Sequence, residues 1–305
     1  MRGRDLLAIA DLSTDQIGEI LDTAQAQKAD PQGSYANALQ GRSVALVFEK
    51  PSLRTRVSFE RAVRRLGGDP IYLSPPEVGM GEREPAKDVA RVLSRYCDAI
   101  VCRTFAQDIL IELAEYASVP VVNALSDWEH PCQALADLLT VREHGGAADR
   151  TLAYIGDGNN VIRSLALAAT SEGMHVRVAS PTSYGLDRPS VEDAVRRAAA
   201  AGGSLTLMEQ PNEAVSGADF VYTDVWTSMG QEADAKIRRE DFGGYQVTTD
   251  LVGQANSGAK IMHDLPAHRG EEITDAAIES PASIVFDQAE NRMHAQQAVL
   301  WHLLR

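Results

Sequence analysis

From about Ser43 to the end of the chain, short β-branched or apolar runs alternate with longer stretches of helical period. This alternation leaves little choice of fold, because parallel strands must be joined by long crossovers and a helix is the usual crossover. The candidate strands of the first half are Val44–Phe48, Ile71–Leu73, Ala99–Cys102 and Val119–Asn123, separated by helix-period segments at Arg54–Leu66, Ala86–Tyr96 and Asp108–Tyr116. After Gly145-Gly146 a second series restarts, with strands Thr151–Ile155, His175–Ala179, Leu205–Leu207 and Phe220–Thr223. The restart predicts two α/β domains, with Cys132–His144 as a connecting helix and Ala289–Leu304 as a last one. At 305 residues the chain exceeds the usual range of a single core, which agrees with two domains.

Composition removes several classes of function. A net charge of −14 argues against a nucleic-acid or anionic-membrane surface, since phosphate backbones are met by clustered Lys and Arg. Any anion must then sit in a local basic pocket. Met1 to Asp11 lacks an apolar core with a cleavage site, and nowhere do 18 uncharged apolar residues run together, so a cytoplasmic protein is expected. Cys97, Cys102 and Cys132 are an odd number in a long chain, read as reduced thiols, and their spacing matches no metal site.

In open α/β sheets ligands sit beyond the carboxyl ends of strands, and several polar clusters fall at such ends. Glu49 to Arg56 leaves a buried-looking strand and enters a helix with Ser52 as N-cap, so unpaired first-turn amides, two arginines and two hydroxyls suit a phosphate. The same residues also read as a capped helix with solvated arginines. Arg103 follows a strand directly, and His130-Pro131-Cys132-Gln133 offers an imidazole and a carboxamide suited to a small planar carbonyl group. A histidine there also reads as a cap, and Cys132 as a buried thiol rather than a nucleophile. Gly156-Asp157-Gly158-Asn159-Asn160 superficially follows a dinucleotide pattern but has Val161 where the third glycine belongs. Asn160 instead offers an amide to a carboxylate, while Asp224 and Ser228, in Asp224-Val225-Trp226-Thr227-Ser228-Met229-Gly230, suit an amino-acid head group.

Taken in order, Ser-Leu-Arg-Thr-Arg at 52–56, His-Pro-Cys-Gln at 130–133, Gly-Asp-Gly-Asn-Asn at 156–160, Asp-Val-Trp-Thr-Ser-Met-Gly-Gln-Glu at 224–232, His-Asp-Leu-Pro at 263–266 and Glu-Asn-Arg at 290–292 resemble the aspartate/ornithine carbamoyltransferase family. The similarity spans nearly the whole chain, and the Ser-Met-Gly loop resembles the ornithine-using branch. The resemblance implies two Rossmann-like domains with parallel sheets flanked by helices and the active site in the interdomain cleft. Residues 1–140 would bind carbamoyl phosphate, with a C-terminal helix at 287–305 packing back onto them, and 141–286 would bind ornithine. It implies carbamoyl transfer to the side-chain amine of L-ornithine, giving L-citrulline and phosphate, with no cofactor and no metal, by a homotrimer or a higher assembly of trimers.

By motif match, Ser52, Arg54, Thr55 and the backbone at Leu53 hold the phosphate, joined by Arg103 and Arg292. His130, Thr55 and Arg103 polarise the carbamoyl oxygen, and Pro131 and Cys132 belong to the same carbamoyl phosphate site. Gln133 with the carbonyls of Asp264 and Leu265 orients the carbamoyl nitrogen and the attacking amine. Asn160 and the Met229 backbone meet the ornithine carboxylate, and Asp224 and Ser228 its α-amino group. Arg103, His130, Gln133 and Asp264 form the implied catalytic set.

Three departures bear on these roles. Asp264 stands where the family usually carries cysteine, which adds an anion that attracts the ammonium, accepts its proton or titrates together with Asp224. The alternative is an aspartate that points away and caps a helix. Leu53 replaces a threonine, and Gly79 stands where many relatives place a glutamine reaching a neighbouring subunit, with Arg83 the nearest basic substitute. Competing functions are carbamoyl transfer to putrescine or an acylated ornithine, and a non-catalytic carbamoyl phosphate-binding paralogue.

Overall fold

Strands β1 (Ser43–Phe48), β2 (Asp69–Leu73), β3 (Ala99–Arg103) and β4 (Val121–Leu125) form one parallel sheet in the order β2-β1-β3-β4. In the middle of it, β1 and β3 are buried almost throughout, which is what an unbroken apolar run such as Val44–Phe48 requires. Strand β2 lies at the edge, partly exposed, where Pro70 removes no essential ladder donor. At the opposite edge Leu6 bridges Val122 in parallel. A second parallel sheet takes β5 (Thr151–Ile155), β6 (His175–Ala179), β7 (Ser204–Met208), β8 (Phe220–Thr223) and β9 (Lys260–His263) in the order β7-β6-β5-β8-β9. The computed structural model describes residues 1–81, 83–228 and 230–305. It divides into two compact units, Met1–Leu139 with Glu290–Arg305, and Thr140–Ala289. Each has its own apolar core, one around Ala45, Val47, Ile100 and Leu110, the other around Ala153, Ile155, Val221 and Ile261.

Several boundaries differ from the sequence expectation for identifiable reasons. Strand β4 starts at Val121 rather than Val119, just past Pro120, which has no N–H to give a ladder. The helix Thr14–Ala29, capped by Ser13 with Gln16 reaching back, was not predicted, and neither was β9. Helix Asn160–Ser171 is buried on every side from Val161 to Ser171. The last helix begins at Val285, four residues before the predicted Ala289.

Strand order fixes where a ligand belongs. In each sheet consecutive strands run outward from one central strand and then jump to its other side. The resulting crevice lies between the carboxyl ends of β1 and β3 in the first sheet and of β5 and β8 in the second. The residues that follow those four ends are Glu49 to Thr55, Arg103 itself with Thr104, Gly156 to Asn160, and Asp224.

Candidate active site

The first unit gathers cations at its switch point. Ser52 caps helix Leu53–Arg65: its Oγ accepts from the Thr55 amide at 3.4 Å and donates to Thr55 Oγ1 at 3.0 Å. Thr55 is fully buried, and two guanidiniums converge on its hydroxyl oxygen, Arg103 Nη1 at 3.4 Å from the end of β3 and Arg292 Nη2 at 2.7 Å from the last helix. Both arginines are themselves buried. Arg54 is half-buried and its Nε has no hydrogen-bond partner, whereas Leu53 is 75% exposed, so only its backbone is suited to a binding role. Helix Pro131–Glu143 brings in the second cluster, with Pro131 at its first position, where a missing N–H costs nothing. Gln133 accepts from Arg292 Nη1 at 2.5 Å and donates through Nε2 to the buried Asp137 at 2.8 Å, which fixes the carboxamide's orientation. His130, just before this helix, is buried. Burial pushes the Cys132 thiol up to about 12, so the sulfur stays protonated and its bond to the Asn123 carbonyl at 3.6 Å is that of a packed thiol.

A further cation here was not singled out from sequence. Lys50, two residues before Ser52, is 7% exposed with Nζ 4.7 Å from the Phe105 ring centroid. Burial, and then the charge of Arg103, lower its pKa to about 8.

At the second unit's switch point the charge is reversed. Asn159, not Asn160, caps helix Asn160–Ser171, its Oδ1 accepting from the amides of Val161 and Ile162 at 2.9 and 3.3 Å. Its Nδ2 donates to Asp224 Oδ2 at 2.7 Å, tying the ends of β5 and β8 together. Asp224, His263 and Asp264 place one ligand atom each within 4.8 Å of one another. Asp264 therefore does not point away: its Oδ1 lies 3.4 Å from His263 Nδ1. Burial, and then the charge of Asp264 and a hydrogen bond with it, raise the Asp224 pKa well above its ordinary value.

Behind them His263 Nε2 sits 3.0 Å from Glu272 Oε1, both fully buried. Burial alone would lower the His263 pKa, but hydrogen bonds to Asp264 and Glu272 and the charges of Asp264 and Asp224 outweigh it and raise it to about 10. Nδ1 has two possible partners. When neutral it accepts from the Leu265 amide at 2.9 Å, and when protonated it donates to Asp264. Leu265 is held at φ 59°, a left-handed conformation that costs a residue with a side chain about 1–2 kcal/mol.

The Asp224 loop is anchored from outside. Arg238 Nη1 donates to Asp157 Oδ2 at 2.9 Å and to the Trp226 carbonyl at 2.8 Å, and Trp226 stacks on Phe242. Gly158 packs so closely that an added Cβ would lie 2.4 Å from the Gly185 carbonyl carbon, which is why glycine is needed in this turn.

The predicted phosphate and carbamoyl residues Ser52, Leu53, Arg54, Thr55, Arg103, His130, Pro131, Cys132, Gln133 and Arg292 all belong to the first unit. Asp264, Leu265, Asn160, Asp224 and Ser228 belong to the second. Met229 lies outside the described residues. Sequence reasoning missed Lys50, Asp137, Asn159, Arg238 and Glu272. Only Lys50, two residues before Ser52, and Asn159, inside the Gly-Asp-Gly-Asn-Asn motif, offered a signal that could have found them.

Two α/β units, one collecting guanidiniums and the other carboxylates at the switch points of parallel sheets, define a protein that handles an anion and an amine. Residues 4–143 match the family model "aspartate/ornithine carbamoyltransferase, carbamoyl-P binding domain", and residues 148–303 match its "Asp/Orn binding domain". The chain belongs to the aspartate/ornithine carbamoyltransferase family. It is 50% identical to the ornithine carbamoyltransferase of Pyrococcus horikoshii, covering all of this chain and 96% of that one. It is 52% identical to that of Acidothermus cellulolyticus, over 99% of this chain and 96% of the relative. The solved ornithine carbamoyltransferase of Pyrococcus furiosus superposes with a TM-score of 0.96 at 48% identity, covering 99% and 97% of the two chains.

Proposed function

We propose that the chain transfers the carbamoyl group of carbamoyl phosphate to the side-chain amine of L-ornithine, releasing L-citrulline and inorganic phosphate. The observation that carries this reading is the convergence of Arg103 and Arg292 on the buried Thr55 hydroxyl. Two like charges repel strongly in a low-dielectric interior, so this arrangement is suited to a multiply charged oxyanion seated on the first turn of helix Leu53–Arg65. Ser52, Thr55, Arg54, the Leu53 backbone, Arg103 and Arg292 hold the phosphate. His130, with Thr55 and Arg103, donates toward the carbamoyl oxygen, and Gln133 orients the carbamoyl nitrogen.

The neutral amine attacks the carbonyl carbon, the carbon–oxygen bond to phosphorus breaks, and phosphate leaves with the electron pair and takes up the amine's proton. Donors aimed at the carbonyl oxygen gain most as it becomes an oxyanion, and the arginines gain as negative charge grows on the leaving group. Asp224 and Asp264 draw in the cationic amino acid, Asp224 with Ser228 meets its α-amino group, and Asn160 with the Met229 backbone meets its carboxylate. The buried acid pair also supplies an acceptor for the ammonium proton, which must be lost before attack.

The enzyme acts as a homotrimer or an assembly of trimers in the cytoplasm, and its role is in arginine synthesis. The name of a 49% identical relative from Pyrococcus furiosus, "ornithine carbamoyltransferase, anabolic", supports that direction. Among the described residues no helix is long and apolar enough to cross a membrane. Gly79 has no side chain with which to reach a neighbouring subunit. Gly79 adopts φ 57° with an added Cβ 3.0 Å from Arg83 Cβ, and Arg83 turns back to the Glu77 carbonyl at 3.3 Å. A citrulline assay with carbamoyl phosphate and a panel of amines tests the reading: product is expected with L-ornithine, and faster turnover of putrescine or an acylated ornithine would overturn it.

A further inference from the structure

Glu129, immediately before His130, has no task in the chemistry above, yet it is 1% exposed. Its Oε2 accepts from the Ile9 amide at 2.7 Å, a buried contact between residues 120 apart in sequence. A buried carboxylate is costly unless its oxygens are met, and the first amide of the short 3₁₀ turn Ile9–Asp11 is a donor that the turn itself does not satisfy. The Glu129 backbone is bonded as well. Its carbonyl accepts from the Ser126 amide at 3.1 Å and from Asn123 Nδ2 at 3.2 Å, and its amide donates to Ser126 Oγ at 3.2 Å. Asn123 Nδ2 also donates to the Leu7 carbonyl at 2.8 Å, and Leu6 exchanges backbone bonds with Val121 and Asn123 of β4 at 2.9 and 2.8 Å. The N-terminal segment thus lies along β4 and holds, through one carboxylate, the residue that precedes the imidazole.

We propose that Glu129 is a positioning residue, whose carboxylate, locked on the Ile9 amide, fixes the approach of the His130 imidazole to the carbamoyl oxygen. The inference rests on the carbamoyl-transfer reading. Phosphate affinity resides in other side chains, and ornithine affinity in the second unit, so loosening this loop slows the chemical step and leaves both affinities in place. In Glu129→Ala, kcat falls about tenfold, as a small misplacement of a catalytic group predicts, while the ornithine KM and inhibition by inorganic phosphate stay within about twofold. Glu129→Gln keeps an oxygen to accept from Ile9 and recovers most of that loss.

Steady-state kinetics of the parent and both variants, with melting midpoints measured in parallel, decide the matter. An active parent with Glu129→Ala unchanged in kcat overturns the proposal alone. So does a Glu129→Gln no better than Glu129→Ala, or a common decline of kcat, both affinities and melting midpoint. A parent that forms no citrulline overturns the reading beneath the proposal, and the proposal with it.

Discussion

The two units solve the same topological problem with opposite charge. Both place their polar residues where neighbouring parallel strands depart in opposite directions, yet β1 and β3 end in a helix N-terminus and Arg103, while β5 and β8 end in Asn159 and Asp224. The first arrangement is suited to an anion, with dipole and guanidinium acting together. Both helices are capped by their own N-cap side chain, but in the second Asn159 also turns its amide toward Asp224, so that carboxyl rather than a guanidinium stands at the strand end. Similar strand connectivity therefore does not dictate ligand charge; a few side chains at the strand ends do.

The largest way to break this contrast is to remove a cation from the first unit. Arg292→Ala deletes bonds to both Thr55 and Gln133, and kcat/KM is expected to drop by about a thousandfold or more, with Arg292→Lys a poor rescue because an ammonium cannot span both partners. Steady-state citrulline formation measures it. Next in size, Asp224→Asn lowers kcat/KM for ornithine by about a hundredfold while inhibition by inorganic phosphate is unchanged.

A smaller effect sharpens the role of the substituted position. Asp264→Asn costs about tenfold in kcat/KM for ornithine and, by removing the neighbouring charge that raises Asp224, moves the acid limb of the pH profile to lower pH. An unmoved limb would show that the acids titrate independently.

The smallest effect is on stability. His263 has a folded pKa near 10 against 6.5 for the free side chain, so its contribution is fully present below pH 6.5 and lost as pH rises through about 10. The raised Asp224 acts in the same direction: its cost begins above its unfolded value of 3.8 and grows until its folded pKa is reached. The melting midpoint should therefore fall between pH 6.5 and 10, and Glu272→Gln, which weakens the hold on His263, should make that fall shallower. Calorimetric scans across this window show whether the two slopes differ.

Much of this contrast was legible in the sequence because it is local. The Ser52 cap, Arg103 at a strand end, the His130–Gln133 turn and Asp224 after β8 each follow from a strand followed by polar residues. What no local stretch of sequence shows is the pairing of distant partners. Arg292 meets Thr55 across 237 residues, and the sequence ties the two together only through a family resemblance. Arg238 meets Asp157 across 81 residues, with both side chains about one-tenth exposed, and nothing near either marks the pair. Asp264 was open from sequence because a carboxylate at that position fits both a cap and an ammonium site; its distance to His263 decides between them.

The division of labour itself is tested most directly by calorimetric titration of carbamoyl phosphate into Arg292→Ala and Asp224→Asn. Affinity should be lost in the first and retained in the second. Equal losses in both, or a loss confined to Asp224→Asn, would contradict the assignment of the anion to the first unit and the amine to the second.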